Sequence, residues 1–233
     1  TLLFVSFVAT IVLSFIVVPI LKKKKIGQVV REDGPQSHLQ KSGTPIMGGI
    51  VIILVVTAIL AFFVKNNPIL ILPMISLVGF GMIGFLDDFK KLVLKDPEGL
   101  SPKKKMIGLF LITAIIIGLY LYVFDLGTTI NIPIFGQPIA LGIPLFIIFA
   151  AFILLGTTNA VNLTDGLDGL ATGVVAIIMT FFTLVALKQQ NVPMVIFCAS
   201  TVGSCIGFLL FNMHPAKVFM GDTGSLALGG AVA

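Results

Sequence analysis

Residues 142–169 read GIPLFIIFAAFILLGTTNAV followed directly by NLTDGLDG, so a long uncharged apolar run ends abruptly in a polar, acid-bearing turn. A helix of about 20 apolar residues crosses roughly 30 Å of hydrocarbon. A strand of a membrane barrel would be about half as long and would alternate apolar with polar residues. The stretch therefore predicts a transmembrane helix that ends at a water-facing edge.

The composition of the whole chain agrees with this reading. Of 233 residues, 57% are hydrophobic and 11% are charged, and the mean hydropathy is +1.13. Soluble domains carry about 25% charged residues. The chain is therefore predicted to be an integral membrane protein.

We expect an all-α membrane protein, a polytopic helical bundle that forms a single integral membrane domain over residues 1–233. Thr1 and Ala233 each lie in an apolar run, so we expect truncation at both ends. Two short β-prone stretches predict a small external β-hairpin at about 125–141. Seven full transmembrane helices and the start of an eighth are predicted at about 1–21, 45–64, 68–86, 106–124, 142–161, 168–187, 193–212 and from about 225.

The distribution of basic residues tests this topology. Alternating spans place thirteen of the fifteen Lys and Arg residues on one side, and only Lys65 and Lys188 on the other. Such a bias marks the cytoplasmic side. The same side holds every acid except Asp125. We therefore expect a multi-pass protein of the cytoplasmic membrane with its active site facing the cytoplasm.

Asp87 and Asp88 lie at the end of the third predicted helix. Adjacent helical residues point about 100° apart, so one carboxylate can bind a cation while the other takes a proton. Lys91 lies within reach of either acid. The alternative is a solvated helix end with a salt bridge.

Asn162, Asp165 and Asp168 recur at every third residue, which would align them on one face of a helical turn. Gly166 and Gly169 would let a ligand approach the backbone. The alternative is helix capping, for which one Asp suffices.

Asp222 lies in FMGDTGS, residues 219–225, at the mouth of the eighth helix. The composition of this turn suits both an N-cap and a phosphate site, and its carboxylate could instead hold Mg²⁺. Taken alone, the turn fits capping as well as catalysis. Phe219 is placed to stack on a flat base. Lys41 differs from the lysine runs that anchor helix ends, because it lies in a loop rich in turn residues and hydroxyls, which favours a phosphate-facing role. The runs Lys22–Lys25 and Lys103–Lys105 are interpreted as lipid anchors.

These motifs resemble those of the bacterial phospho-MurNAc-pentapeptide transferases (translocase I), a branch of the polyprenyl-phosphate N-acetylhexosamine-1-phosphate transferases. The matching stretches are GPQSHLQKSGTPIMGG (34–49), GFLDD (84–88), NAVNLTDGLDGLA (159–171) and FMGDTGS (219–225). The first and third of these are specific to the MurNAc-pentapeptide branch. The family also carries a histidine cluster near its C-terminus, between its last two helices, and the sequence stops before it.

The resemblance implies transfer of phospho-MurNAc-pentapeptide from UDP to undecaprenyl phosphate, which gives lipid I and UMP with Mg²⁺ as cofactor. It implies about ten membrane helices in the intact family, and a homodimer as a common arrangement. Asp87, Asp88 and Asp222 would be catalytic, and Asp222 would bind Mg²⁺. The implied substrate-binding residues are Lys41, Thr44, Lys91, Lys95, Asn162, Asp165, Asp168, Asn212, Phe219, Gly221 and Ser225.

We expect Asp88, Asp168 and Asp222 to gather around one divalent ion. Asp88 or Asp87 would bind the metal or the proton of the attacking phosphate, and direct attack is favoured over a covalent aspartyl route. The rival with the same chemistry is a polyprenyl-phosphate GlcNAc-1-phosphate transferase. An ion-coupled transporter is disfavoured because the acids crowd one edge rather than the bilayer midplane. Few aromatics accompany the basic residues, which argues against a nucleic-acid partner.

Overall fold

The computed structural model describes residues 1–23, 43–96, 98–131 and 137–233. Over these residues the chain forms an all-α bundle with a two-stranded ribbon, which confirms the predicted fold class. The helices are α1 (Leu2–Lys23), α2 (Ile50–Phe63), α3 (Ile71–Leu92), α4 (Pro102–Gly118), α5 (Ile143–Thr164), α6 (Leu170–Lys188), α7 (Val192–Asn212) and α8 (Gly221–Val232).

Six helical segments in the described ranges are long and apolar enough to cross a membrane. They are α1, α4 to α7, and α3 together with the 3₁₀ turn Pro68–Leu70 that precedes it; α4 continues into a π-helical turn, Leu119–Val123. The chain is therefore a multi-pass membrane protein. The second predicted helix is the exception, because α2 is shorter than a full span.

The prediction for α2 was wrong by five residues at its start, and tertiary hydrogen bonds explain the difference. Met47 has a left-handed backbone (φ 70°). The amides of Gly48 and Gly49 donate to the carbonyls of Phe219 and Met220 at 2.9 and 3.0 Å. Residues 45–49 therefore pair with the segment before α8 instead of extending α2.

The predicted hairpin is confirmed as two short antiparallel strands, β1 (Thr129–Asn131) and β2 (Pro138–Ala140), with Ile130 opposite Ile139. Residues 132–136, which lie between the two strands, are outside the described residues.

Helix α7 lies at the centre of the bundle. In its most apolar 18-residue stretch 72% of the residues are buried, against 17% for α1 and 11% for α5. Gly203 and Gly207 face α1, where an added Cβ would meet the carbonyls of Leu3 and Phe7. The Thr10 and Ser204 hydroxyls are hydrogen-bonded across this contact at 2.9 Å. Small and hydroxyl residues let membrane helices approach closely, so α1 is held directly against α7.

Helix α8 is buried along most of its length and lies against α3. At Gly84 of α3 an added Cβ would overlap the backbone carbonyl of Asp222, and at Gly230 of α8 it would meet Phe80 and Ser76. This close approach brings the end of α3 to the start of α8. The ends of α3 and α5 and the starts of α4 and α8 thus meet at one edge of the bundle.

Candidate active site

Asp88 binds the N-terminus of α8. It is 4% exposed. Its carboxylate accepts hydrogen bonds from the Asp222 amide at 3.2 Å, the Thr223 amide at 2.8 Å and the Thr223 hydroxyl at 2.6 Å. The first amides of a helix lack partners within the helix and favour negative charge. Asp88 is therefore a cap supplied by another helix, which also explains why α8 begins at Gly221 rather than near residue 225.

Asp87 points away from Asp88, as expected for neighbours on a helix. It is 2% exposed. The Leu100 amide donates to its Oδ1 at 2.6 Å, and the Lys91 ammonium group donates to its Oδ2 at 2.5 Å. Both oxygens of Asp87 are thus fixed by groups that follow it in the chain.

Asp222 is the meeting point of four elements. Its Oδ2 lies 2.9 Å from the Nζ of Lys105 and 3.4 Å from that of Lys91, and its Oδ1 accepts from the Asn162 amide at 2.9 Å. The carboxylate is 22% exposed. Lys91 therefore bridges Asp87 and Asp222, and the two acids and two lysines form one electrostatic cluster, which we call the acid–lysine cluster (Asp87, Lys91, Lys105 and Asp222).

Asn162 and Ser225 support this cluster from α5 and α8. The Asn162 amide also donates to the Ser225 hydroxyl at 2.8 Å, and that hydroxyl donates to the Gly221 carbonyl at 3.0 Å. Gly221 has φ 76°, and an added Cβ would lie 2.6 Å from Asp88 Oδ2. Only glycine fits there, because the position combines a left-handed backbone with a closely approaching carboxylate.

Asp165 follows the last residue of α5 and is half-buried. Burial, and then the negative charges of Asp222 and Asp88, raise the pKa of Asp165 to about 7. A buried carboxyl near other anions resists ionisation. Asp165 therefore exchanges a proton near neutral pH, and a bound cation would favour its charged form.

Asp168 lies on the other side of the same turn. Its Oδ2 is 3.1 Å from the Nδ1 of His214 and accepts from the Ala216 amide at 3.2 Å. Asn162, Asp165 and Asp168 were predicted to align on one face, but Asn162 and Asp168 contact different parts of the protein. Asn162 contacts the acid–lysine cluster, whereas Asp168 anchors the segment that follows α7.

The remaining predicted site residues occupy the rim and its supports. The buried Asn212 accepts from the Thr172 hydroxyl at 2.9 Å and donates to the Val218 carbonyl at 3.0 Å. Phe219 is half-buried and its amide donates to the Pro45 carbonyl at 2.8 Å, beside the half-buried Thr44. Lys95 is exposed. Lys41 lies outside the described residues. Their roles in substrate binding stay predictions.

The expected ion site made of Asp88, Asp168 and Asp222 is not formed. Within the described ranges no group of three or more Asp, Glu, His or Cys residues is arranged to hold a metal. The physical reason is that Asp88 is committed to the α8 N-terminus and Asp168 to the segment after α7.

Comparison with known proteins decides the family. The model of "Glycosyl transferase family 4" matches residues 69–233. The chain is 47% identical over 229 residues to the phospho-N-acetylmuramoyl-pentapeptide-transferase of Thermoanaerobacter sp. (strain X514), which covers 98% of this chain and 72% of that protein. It is 46% identical to the proteins of the same name from Clostridium perfringens (strain 13 / Type A), over 98% of this chain and 72% of the relative, and Bacillus subtilis (strain 168), over 97% and 71%.

This chain belongs to the phospho-N-acetylmuramoyl-pentapeptide-transferase family. The resemblance inferred from four short motifs is thereby confirmed. Three of those motifs supply Asp87, Asp88, Asn162, Asp222 and Ser225, whereas Lys91 and Lys105 lie outside them. The remaining motif is residues 34–49. Its residues 43–49 lie against the start of α8, and the rest of it is outside the described residues.

Sequence reasoning missed three groups in this transferase site. Lys105 was interpreted as part of a lipid anchor, yet it contacts Asp222 while Lys103 and Lys104 are exposed. Thr223 and the Leu100 amide hold Asp88 and Asp87. One feature of the sequence could have set Lys105 apart. It lies in the first turn of a helix, where three adjacent residues point in three directions.

Proposed function

We propose that this chain transfers phospho-MurNAc-pentapeptide from UDP-MurNAc-pentapeptide to undecaprenyl phosphate, forming lipid I and releasing UMP in peptidoglycan biosynthesis. Membership of the family supports the reaction. The structural observation that carries it is the acid–lysine cluster, in which Asp222 contacts two ammonium groups at the edge of a membrane bundle.

Lys91 and Lys105 supply positive charge, which the reaction needs because two anions must approach each other. A lipid phosphate must approach a diphosphate, so anion meets anion, and catalysis depends on neutralising charge and on holding the reactants in line. Lys91 and Lys105 converge on one carboxylate oxygen from α3 and α4. With a cation held at that oxygen, both ammonium groups would be free to bind phosphate oxygens.

The donor set fits Mg²⁺ at Asp222. This ion usually takes one or two protein carboxylates plus substrate phosphates and water. Asp222 is partly exposed, and Asp87 shares Lys91 with it. Asp222 would hold the ion, with Asp87 as the nearby second carboxylate, and the bound ion would offset charge on the diphosphate. The protein's own contribution is to orient Asp222 through Asn162 and through the cap made by Asp88.

Asp88 and Asp87 divide the remaining work in this proposal. Asp88 fixes the turn that presents Asp222, since its oxygens accept three hydrogen bonds from Asp222 and Thr223. Asp87 keeps Lys91 in place and would accept a proton only from a phosphate that arrives protonated. An ionised phosphate needs no base, which favours direct attack over a covalent aspartyl route.

The orientation of the site follows from charge. The alternation of spans predicted from the sequence places thirteen of the fifteen basic residues on the side that holds the acid–lysine cluster, and an excess of basic residues marks the cytoplasmic side. We propose that the site faces the cytoplasm, where UDP-linked substrates reside, and that the lipid substrate enters from the membrane. A homodimer is part of the same proposal, with the oligomeric state in detergent as its test.

A two-substrate assay tests the function. The purified full chain would be supplied with undecaprenyl phosphate and either UDP-MurNAc-pentapeptide or UDP-GlcNAc, and UMP and the lipid product would be measured with and without Mg²⁺. We expect UMP and lipid I from the first donor alone, with loss of turnover on chelation and recovery on adding Mg²⁺. Turnover of UDP-GlcNAc instead would favour the rival transferase, and no turnover of either would contradict the proposal.

A further inference from the structure

The turn that follows α3 contacts a carboxylate of the site. Lys90 donates to the Asp96 carboxylate at 3.1 Å and to the Gly99 carbonyl at 3.0 Å. The next residue, Leu100, donates its amide to Asp87 Oδ1 at 2.6 Å. A chain of contacts therefore runs from Lys90 through the turn to Asp87.

Gly99 allows this approach. It is buried, with φ 63°. A Cβ at this position would lie 2.6 Å from Asp87 Oδ1 and 2.7 Å from the Cε of Lys91. A methyl group would therefore displace the carboxylate or its lysine partner, in addition to straining the backbone.

Lys90 and Lys91 divide their roles, although they are adjacent. Lys91 contacts the acids of the site, whereas Lys90 donates to the Asp96 carboxylate and the Gly99 carbonyl of the turn. The Asp96 carboxylate also accepts from the Glu98 amide at 3.3 Å, and the Gly99 amide donates to the Asp96 carbonyl at 3.0 Å. The hydrogen bond from Lys90, together with that from Glu98, holds the pKa of Asp96 below its ordinary value. Lys90 thus closes the turn at two points.

We propose that Lys90 and Gly99 are positioning residues that orient the Asp87 carboxylate through the Leu100 amide. This inference rests on the proposed function and adds to it a specific device that sets the geometry of Asp87. A displacement of about 1 Å at a reacting group can cost up to about 10²-fold in rate. The side-chain oxygens of Asp87 have little freedom while Leu100 and Lys91 both contact them.

The first test compares Gly99→Ala with Gly127→Ala. Gly127 has a similar backbone (φ 75°) in the segment before β1, but an added Cβ there would meet nothing within 4 Å. Both variants share the backbone strain, and only the first affects Asp87. We expect Gly99→Ala to lower kcat by about tenfold or more with little change in KM, and Gly127→Ala to retain activity. Equal kcat values would overturn the role of Gly99.

The second test uses Lys90→Gln and Lys90→Arg, which keeps the inference testable even where Gly99→Ala fails to fold. We expect Lys90→Gln to lower kcat several-fold at unchanged KM and Lys90→Arg to restore it, since a guanidinium keeps the positive charge and offers more hydrogen-bond donors than an ammonium group. A loss confined to KM, or no rescue by Arg, would contradict the inference.

Amide hydrogen exchange separates this inference from the function itself. In the wild-type chain the Leu100 amide should exchange slowly, and in Lys90→Gln it should exchange faster, with Lys90→Arg close to wild type. This measurement requires no substrate. A wild-type protein without turnover but with the expected exchange pattern would contradict the proposed function alone. Unchanged exchange in Lys90→Gln would overturn the positioning device alone.

Discussion

The two ends of α8 are joined to α3 by different forces. At its start, the Asp88 carboxylate accepts hydrogen bonds from Asp222 and Thr223, and lysines surround Asp222. Near its end, the Ser76 hydroxyl donates to the Gly230 carbonyl at 2.5 Å beside a largely apolar cavity of about 470 Å³. Hydrogen bonds that involve a charged group contribute about twice as much as neutral ones. The active-site end of α8 is therefore fixed by charge, whereas its far end depends on neutral contacts.

The largest effect on turnover is expected from removing the negative charge of Asp222 at the active-site end of α8. Asp222→Asn should lower kcat on the order of 10²- to 10³-fold, because the side chain loses the negative charge that holds Lys91 and Lys105 and would bind the cation. UMP release in the full chain measures it. Unchanged turnover would reject the role of Asp222 and remove the main distinction between the two ends.

The next prediction concerns the active-site end of α8 and compares two neighbouring lysines. Lys105 contacts Asp222 at 2.9 Å, whereas Lys104 is exposed in the same helical turn. Lys105→Ala should lower kcat/KM roughly 10- to 100-fold, because in the proposed function Asp222 would bind Mg²⁺, and groups that hold a metal-binding carboxylate usually matter by that factor. Lys104→Ala should retain turnover. Similar losses in both variants would support lipid anchoring instead.

Glycine contacts allow a test of how closely α3 and α8 must approach. A Cβ at Gly84 would lie 2.7 Å from the Thr223 amide nitrogen, so Gly84→Ala should destabilise the protein by about 1–3 kcal/mol. The matched control is Gly156→Ala in α5, where nothing lies within 4 Å of the added Cβ. That change should stabilise by up to about 1 kcal/mol, because Ala favours helix more than Gly. Thermal unfolding in detergent measures both, and equal midpoints would contradict the close contact.

The smallest effects compare one hydroxyl at each end. Thr223→Val removes a hydrogen bond to the Asp88 carboxylate and should cost roughly 1.5 kcal/mol or more. Ser76→Ala removes the neutral bond to Gly230 and should cost about 0.6 kcal/mol, with activity retained. Unfolding midpoints in the same detergent would rank them. The reverse order would show that the far end is held as firmly as the site.

The sequence predicted the features that depend on local pattern. The uncharged runs predicted α1 and α3 to α7, and the β-prone stretches predicted the ribbon. The short motifs contain Asp87, Asn162 and Asp222, which lie together at the site, whereas the predicted gathering of Asp88, Asp168 and Asp222 was wrong. The helices and the ribbon follow from neighbouring residues, since apolar length and turn composition are local properties.

The features that escaped prediction depend on contacts between distant residues. Asp88 is 135 residues from Thr223, its hydrogen-bond partner, so its role as the cap of α8 could not be seen from its own surroundings. The late start of α2 depends on bonds to Phe219 and Met220. Lys105 is set apart from Lys104 only by the rotation of α4 against its neighbours. Spacing along the chain carries no information on such rotations.

The contact between α1 and α7 has a consequence for how the chain is made. The ribosome completes α1 about 170 residues before it begins α7, a delay of roughly 10 to 30 s at ordinary elongation rates. During this interval α1 must reside in the bilayer without α7, the helix that it contacts most. The Ser6 hydroxyl bonds to the Leu2 and Leu3 carbonyls of its own helix even in the finished fold. The Ser6 hydroxyl therefore has hydrogen-bond partners within α1 before α7 is synthesised.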